Sequence, residues 1–98
     1  MTQPTKVTRK KATQLYKFLI KKVKVLSDNN LQCTITQYCN LMCGAIAYAH
    51  SINQIDLDIC DTIIRQIEKI EDSNITTKER RLLIVDFISY LEGKDGTR

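Results

Sequence analysis

Apolar residues recur at intervals of three and four in four stretches of this sequence, and short segments rich in Asn, Asp and Ser separate the stretches. Such spacing places the apolar side chains of each stretch on one face of an α-helix. The pattern predicts an all-α fold with helices over about residues 8–27, 36–51, 56–72 and 77–92. The clearest stripe is in the first helix, where it consists of Ala12, Leu15, Tyr16, Leu19, Val23 and Leu26.

The connections between these helices are short, which favours antiparallel neighbours. We therefore expect a small up-down bundle of four helices, a single domain over residues 1–98 with flexible tails at 1–7 and 93–98. A three-helix core, with the first helix docked outside it or swapped onto a second copy, is the alternative. A chain of this length buries only about two thirds of its unfolded surface, so self-association is one way to gain stability.

The second predicted helix has no charged residue before His50. Its apolar stripe is expected to face the core, and Leu41, Ala45 and Tyr48 are expected to extend that stripe. Its opposite face is small and neutral, with Asn40, Gly44, Ala47 and Ser51. A helix of this kind is typically central, and small residues let another helix approach closely, from this chain or from a second copy.

The fourth predicted helix has the clearest boundaries. Thr76 followed by Glu79 has the pattern of a capping box, in which each residue bonds the backbone of the other. Gly93, directly after Glu92, predicts the end of this helix, since glycine readily adopts the left-handed conformation found after the last helical residue.

Four cysteines, a polar N-terminal segment and the absence of any long apolar stretch bear on the compartment. No signal peptide is expected, because residues 1–11 are polar and lysines interrupt the first apolar stretch. A membrane span needs a longer apolar run than this chain has. We therefore expect a cytoplasmic protein in a reducing compartment, with no integral membrane association, whose thiols pack as small apolar groups.

No combination of residues predicts an enzyme or a cofactor. His50 is the only histidine, and Cys43 lies two helical turns, or about 10 Å, before it, too far for a nucleophile–base pair. No Gly-rich phosphate loop exists. For a metal ion, Cys39 and His50 lie three turns apart, so one ion cannot bind both. Cys39, Cys43 and Cys60 remain the alternative as a partial zinc site, although packed thiols and no bound metal are the expectation.

Charge is distributed unevenly along the chain. Residues 1–49 hold eight Lys and Arg against one acid, whereas residues 50–98 hold seven against ten acids. In the first helix, lysines form a line opposite the apolar stripe, and three apolar residues lie off that stripe. A contact surface for another protein is expected there, formed by Phe18, Ile20, Val25, Lys17, Lys21 and Lys24.

These features favour a non-catalytic interaction module that binds a partner protein, either alone or as a homodimer. Small regulators, inhibitors, immunity proteins and adaptors share this size and helical architecture, which is an analogy of fold alone.

The alternative is a small regulator that binds DNA or RNA through the basic starts of the first and fourth helices. Its contacts would be Lys10, Lys22, Lys78, Arg80 and Arg81. In an up-down bundle, the start of the fourth helix lies beside the end of the first, so Lys21, Lys22 and Lys24 can join Lys78, Arg80 and Arg81 in one patch. Acidic residues at the end of the third helix would neutralise that patch, namely Glu68, Glu71 and Asp72. A basic first helix also suits an anionic membrane surface or a targeting segment.

Overall fold

The computed structural model describes the backbone of residues 5–95 and the side chains of residues 12–94. Within this part of the chain the protein is four α-helices and no strand: α1 (Thr5–Leu26), α2 (Gln32–Ser51), α3 (Leu57–Glu71) and α4 (Thr77–Asp95). Each helix packs against the next, and α4 packs against α1 to close the ring. The all-α four-helix bundle is confirmed, and α1 is one of the four helices of the ring, not docked outside a three-helix core. No helix in the described region has the length and apolar run needed to cross a membrane.

Polar contacts at one end of the bundle show that neighbouring helices run antiparallel. The Gln32 side chain at the start of α2 donates to the Glu71 carbonyl at the end of α3, at 2.8 Å. Arg81 Nε at the start of α4 donates to the carbonyl of Ser27, just after α1, at 3.0 Å. We call this end, with the ends of α1 and α3 and the starts of α2 and α4, the capped end.

The core runs through the centre of the ring and contains the predicted apolar stripes. Every member of the α1 stripe from Ala12 to Leu26 is buried. Burying one large aliphatic side chain contributes roughly 1.5–3 kcal/mol, so these residues are the main source of stability. The fully buried residues include Leu19, Val23, Ile35, Met42, Ile46, Ile63, Ile67, Ile70, Phe87 and Leu91.

The start of α2 differs from the prediction, because this helix begins at Gln32 and not near residue 36. Its N-cap residue, Leu31, has no side-chain oxygen to accept from the first turn, and its own N–H donates to Asn29 Oδ1 at 3.2 Å. Ile35 in the first turn is fully buried. Core packing, together with the Gln32 bond to α3, therefore sets this helix start in place of a local capping residue.

The start of α4 is the predicted capping box. Thr76 Oγ1 accepts from the Glu79 N–H at 3.0 Å, and Glu79 Oε1 accepts from the Thr76 N–H at 2.8 Å. The predicted end of α4 is wrong, because the helix continues through Gly93 to Asp95. Lys94 Nζ lies 5.6 Å from the centroid of the Tyr90 ring, one turn earlier, and this contact supports the last turn.

The predicted tails, 1–7 and 93–98, are helical wherever the structure describes them, at residues 5–7 and 93–95. The remainder of both tails lies outside the described residues.

The turn after α2 relies on a left-handed residue. Asn53 has φ 63°, a conformation that asparagine tolerates better than most residues. Its N–H donates to the His50 carbonyl at 3.0 Å, and the Gln54 N–H donates to the Ala49 carbonyl at 2.9 Å. This pair of bonds is a Schellman motif, which satisfies the last carbonyls of α2 before the chain enters α3.

Candidate interaction surface

The residues predicted to contact a partner lie on three sides of α1. Lys17, Lys21 and Lys24 are exposed along its outer ridge, opposite the core. Phe18 lies on one side of that ridge and Ile20 on the other, about 160° apart at 3.6 residues per turn. Both are half-buried and pack against the core. The predicted set therefore does not form one surface, because Phe18 and Ile20 lie on opposite sides of the lysine ridge.

The neighbours of these two sides follow from the direction of the helices. Thr62 of α3 stands one residue before buried Ile63 and faces the next helix, because it lies close to Tyr90 of α4. Helix α1 runs in the same direction as α3, and Phe18 stands one residue before buried Leu19. Phe18 therefore faces α2, the next helix after α1, and Ile20 faces α4. Val25, which is 40% exposed and seven residues after Phe18, lies on the same side as Phe18.

Helix α2 contributes two apolar side chains that were expected to be buried. Cys43 lies near Glu68, Glu71 and Cys60, so that side of α2 faces α3. The opposite side faces α1 and holds Leu41 and Tyr48, which are 47% and 66% exposed. The prediction that they extend the buried stripe is therefore wrong.

Helix geometry explains their exposure. Leu41 and Tyr48 each precede a buried residue by one position, Met42 and Ala49, and so lie about 100° round the helix from it. A helix in a ring of four contacts only two neighbours, and its buried arc ends before that angle is reached.

These side chains form one elongated surface along α1 and α2, which we call the α1/α2 surface and define by Phe18, Val25, Leu41 and Tyr48. Phe18 lies eight residues before the end of α1 and Leu41 nine residues after the start of α2. Both are thus about 12–14 Å from the capped end at 1.5 Å per residue, side by side across the groove between the helices. Val25 lies near the capped end, and Tyr48 about 24 Å from it.

Apart from Asp28 in the connection between α1 and α2, the charges beside this surface are positive. Neither Thr5–Leu26 nor Gln32–Ser51 contains an acidic residue. Lys22 Nζ lies 5.4 Å from the centroid of the Phe18 ring, and Lys21 is exposed nearby. Glu68, Glu71 and Asp72, at the end of α3, line a different groove, between α2 and α3. Cations beside the α1/α2 surface therefore attract an acidic group more strongly than a mixed surface would.

One of the predicted nucleic-acid contacts, Arg80, requires a correction. Its side chain is buried, with Nε donating to the Ile70 carbonyl and Nη2 to the Asp72 carbonyl, both at 2.8 Å. Carbonyls at the end of a helix lack partners within the helix, and the guanidinium of Arg80 satisfies two of them. Arg80 is part of the core and does not point to solvent.

The other described members of the predicted nucleic-acid set are on α1 and α4. Arg81 binds the Ser27 carbonyl, Lys22 faces α2, and Lys78 is exposed at the start of α4. Lys10 lies outside the described side chains.

The acidic residues at the end of α3 line a groove of about 750 Å³ between α2 and α3, and the groove also contains basic side chains. Its lining residues include Gln32, Arg65, Glu68, Lys69, Glu71 and Asp72. Bases of α3 thus share this groove with the acids. It is a polar groove of mixed charge, separate from the α1/α2 surface.

The cysteines are free and differ in exposure. Cys39 and Cys60 are buried, Cys43 is half-buried and Cys33 is exposed. Burial, with a smaller contribution from Glu71, raises the pKa of the Cys39 thiol to about 12. Burial also raises the pKa of Cys43 and Cys60. Within the described residues, no three His, Cys, Asp or Glu side chains are placed to hold a metal ion.

Alkylation should therefore separate these thiols. At pH 8, iodoacetamide is expected to modify Cys33 at similar rates in the folded and urea-unfolded protein, because this side chain is exposed. Since its pKa rises from 9.0 to about 12, Cys39 is expected to react on the order of a thousandfold more slowly in the folded protein than in urea. Mass spectrometry of peptides over time gives both rates. Equal rates for Cys33 and Cys39 in the folded protein would contradict the burial described here.

Comparisons with protein-family models, with curated proteins and with solved structures found no match.

Proposed function

We propose that this protein is a non-catalytic interaction module that binds a partner protein through the α1/α2 surface. It acts as a small regulator, inhibitor or adaptor in the reducing cytoplasm. The observation that carries the proposal is the exposure of Leu41 and Tyr48 beside Phe18 and Val25, along two helices without an acidic residue. Contiguous exposed apolar side chains with a polar rim are typical of protein–protein contact sites.

The composition of this surface also supports protein binding. Tyrosine and phenylalanine are among the residues whose loss most weakens interfaces, since each buries a large area with few rotatable bonds. Here Tyr48 and Phe18 lie with aliphatic neighbours, and lysines border one edge. An apolar centre with a charged edge is the usual arrangement of an interface.

The nucleic-acid alternative is weaker for a specific reason. Two of its five predicted contacts are the arginines at the start of α4, and both donate to helix-end carbonyls. The bases that stay exposed, such as Lys78 and Lys21, lie on different helices and are not brought together by a shared groove.

A matched pair of variants tests the proposal. Leu41 on α2 and Leu82 on α4 are both exposed, at 47% and 61%, so replacing either with serine should change stability by no more than about 0.5 kcal/mol. Immobilised wild type and Leu82→Ser are expected to retain the same partner from an extract of the source cells, and Leu41→Ser to retain about tenfold less. Quantitative mass spectrometry measures the retained amounts.

Two results would count against this proposal. Equal retention by both variants would remove the α1/α2 surface from consideration. Binding to duplex DNA that falls steeply with salt, as phosphate contacts require, and that Leu41→Ser leaves unchanged would favour the nucleic-acid alternative.

A further inference from the structure

We infer that the α1/α2 surface receives an amphipathic helix of the partner, with acidic residues along only one side of its apolar stripe. This inference rests on the proposed function and specifies the kind of segment that binds. Three observations support it: the spacing of the apolar residues, the unequal charge of α1 and α2, and the open space beside α2.

The apolar residues on both sides of the groove share one spacing. Phe18 and Val25 are seven residues apart on α1, and Leu41 and Tyr48 are seven residues apart on α2. Seven helical residues rise about 10.5 Å, or two turns. The four residues together span about 22 Å along the groove, or about 15 helical residues, because Val25 and Tyr48 lie at opposite ends. A helix lying along the groove and repeating its apolar residues every seven positions over that length meets both pairs. Such a contact is the helix-in-groove mode of recognition.

The two sides of the groove differ in charge. Outside the apolar pair, α1 presents an exposed ridge of cations, Lys17, Lys21 and Lys24. Outside its own pair, α2 presents no charged side chain, only Gln37, Asn40, Gly44, Ala47 and Ser51, all exposed. A bound helix thus meets lysines on one side alone. Acidic residues are favourable on that side and gain nothing on the other, where they would lose water without a cationic partner.

The α2 side also allows close approach. A Cβ placed on Gly44 would have no atom within 4 Å, so this point of the helix is open. Exposed Ala47 adds only a methyl group one turn later. The bound helix can therefore lie nearer to α2 than to α1, whose long lysine side chains reach over to its acidic side.

Charge also distinguishes an acidic partner from a second copy of this chain. The α1/α2 surface holds cations and no carboxylate, so two copies joined through it would bring like charges together. Like charges facing each other lower affinity and slow association. An acidic helix has the opposite effect.

Three synthetic peptides of 21 residues test this inference. All carry leucine at the a and d positions of three heptads. The first has Glu at e and b with Gln at g and c, the second has Glu at all four of these positions, and the third has Lys at all four. Fluorescence anisotropy gives each Kd at low and high salt. The second peptide is expected to bind no more tightly than the first, because a bound helix turns one flank toward the lysines of α1 and a second acidic flank gains nothing beside α2. The Lys peptide is expected not to bind, because it brings like charges together.

Variants of the protein locate the binding. For the first peptide, Leu41→Ser is expected to raise the Kd about tenfold, as loss of a central apolar contact does. Lys21→Glu is expected to raise it several-fold at low salt and less at high salt, because screening weakens the attraction. Lys78→Glu on α4 is the matched control and should leave the Kd unchanged.

Clearly tighter binding of the peptide with Glu on both flanks, binding of the Lys peptide, or a Kd that Leu41→Ser does not change would overturn the inference. So would a scattering mass twice the 11.3 kDa of one chain that Leu41→Ser returns to 11.3 kDa, because a second copy would then occupy the surface. If no peptide binds but Leu41→Ser still loses the cellular partner, the helix inference fails and the proposed function stands. If peptides bind as expected but no cellular partner depends on Leu41, the proposed function fails instead.

Discussion

Replacing Arg80 with alanine is expected to lower the free energy of unfolding by about 3 kcal/mol, a large part of the stability of a domain of this size. The side chain is 6% exposed, and its guanidinium donates to the carbonyls of Ile70 and Asp72. Truncation leaves both carbonyls without this donor at the negative end of the α3 dipole, and it leaves a cavity beside Ile70. Arg80→Lys should lose less stability than Arg80→Ala, because the lysine ammonium group still donates hydrogen bonds, although it lacks the planar fork of donors.

Urea unfolding followed by circular dichroism measures this effect. Arg81→Ala is the matched control, because Arg81 is the next residue, is exposed and donates one bond, to the Ser27 carbonyl. Its loss should be below about 1 kcal/mol, as for most exposed polar contacts. If the two substitutions have equal effects, Arg80 does not have the structural role described above.

Replacing Phe87 with alanine should destabilise the bundle by about 4 kcal/mol, within the range for removal of a buried aromatic ring. Phe87 is the largest of the fully buried side chains and lies on α4, which closes the ring. Its removal leaves a cavity that neighbouring helices cannot fill without moving. The thermal midpoint should fall by well over 10 °C, given roughly 4–8 °C per kcal/mol in a domain of this length.

Val85→Ala is the control for Phe87→Ala. Val85 lies two residues earlier on the same helix and is 59% exposed, so this change should stay within about 0.5 kcal/mol. Differential scanning calorimetry of both variants separates loss of core packing from a change in helix propensity. A similar fall in both variants would mean that α4 does not bury the face described.

Much of the fold could be predicted from local sequence patterns. The α1 stripe and the Thr76–Glu79 capping box depend on residues close in sequence, whose spacing alone determines where the side chains point. The start of α2 and the position of Arg80 could not be predicted in this way. Both depend on where the end of α3 lies in space, since the Gln32 and Arg80 side chains bind carbonyls there.

The candidate surface was only half predictable. Phe18 and Val25 were identified because they lie off the α1 stripe. Leu41 and Tyr48 were assigned to the core because α2 has no charged face to mark which side meets water. Periodicity gives the centre of a buried arc but not its width. The helical spacing could have indicated their exposure. Both residues stand about 100° from Met42 and Ala49, beyond the arc that a helix with only two neighbours buries.

Two adjacent arginines at the start of α4 make the carboxyl ends of α3 and α1 depend on a later part of the chain. Arg80 and Arg81 supply hydrogen-bond donors to these two helix ends. During synthesis, a nascent chain that stops before α4 lacks both donors and Phe87. Helix pairs of this length are marginal without tertiary support. We therefore expect the first three helices alone to be loosely ordered on the ribosome, and the bundle to fold cooperatively once α4 is available.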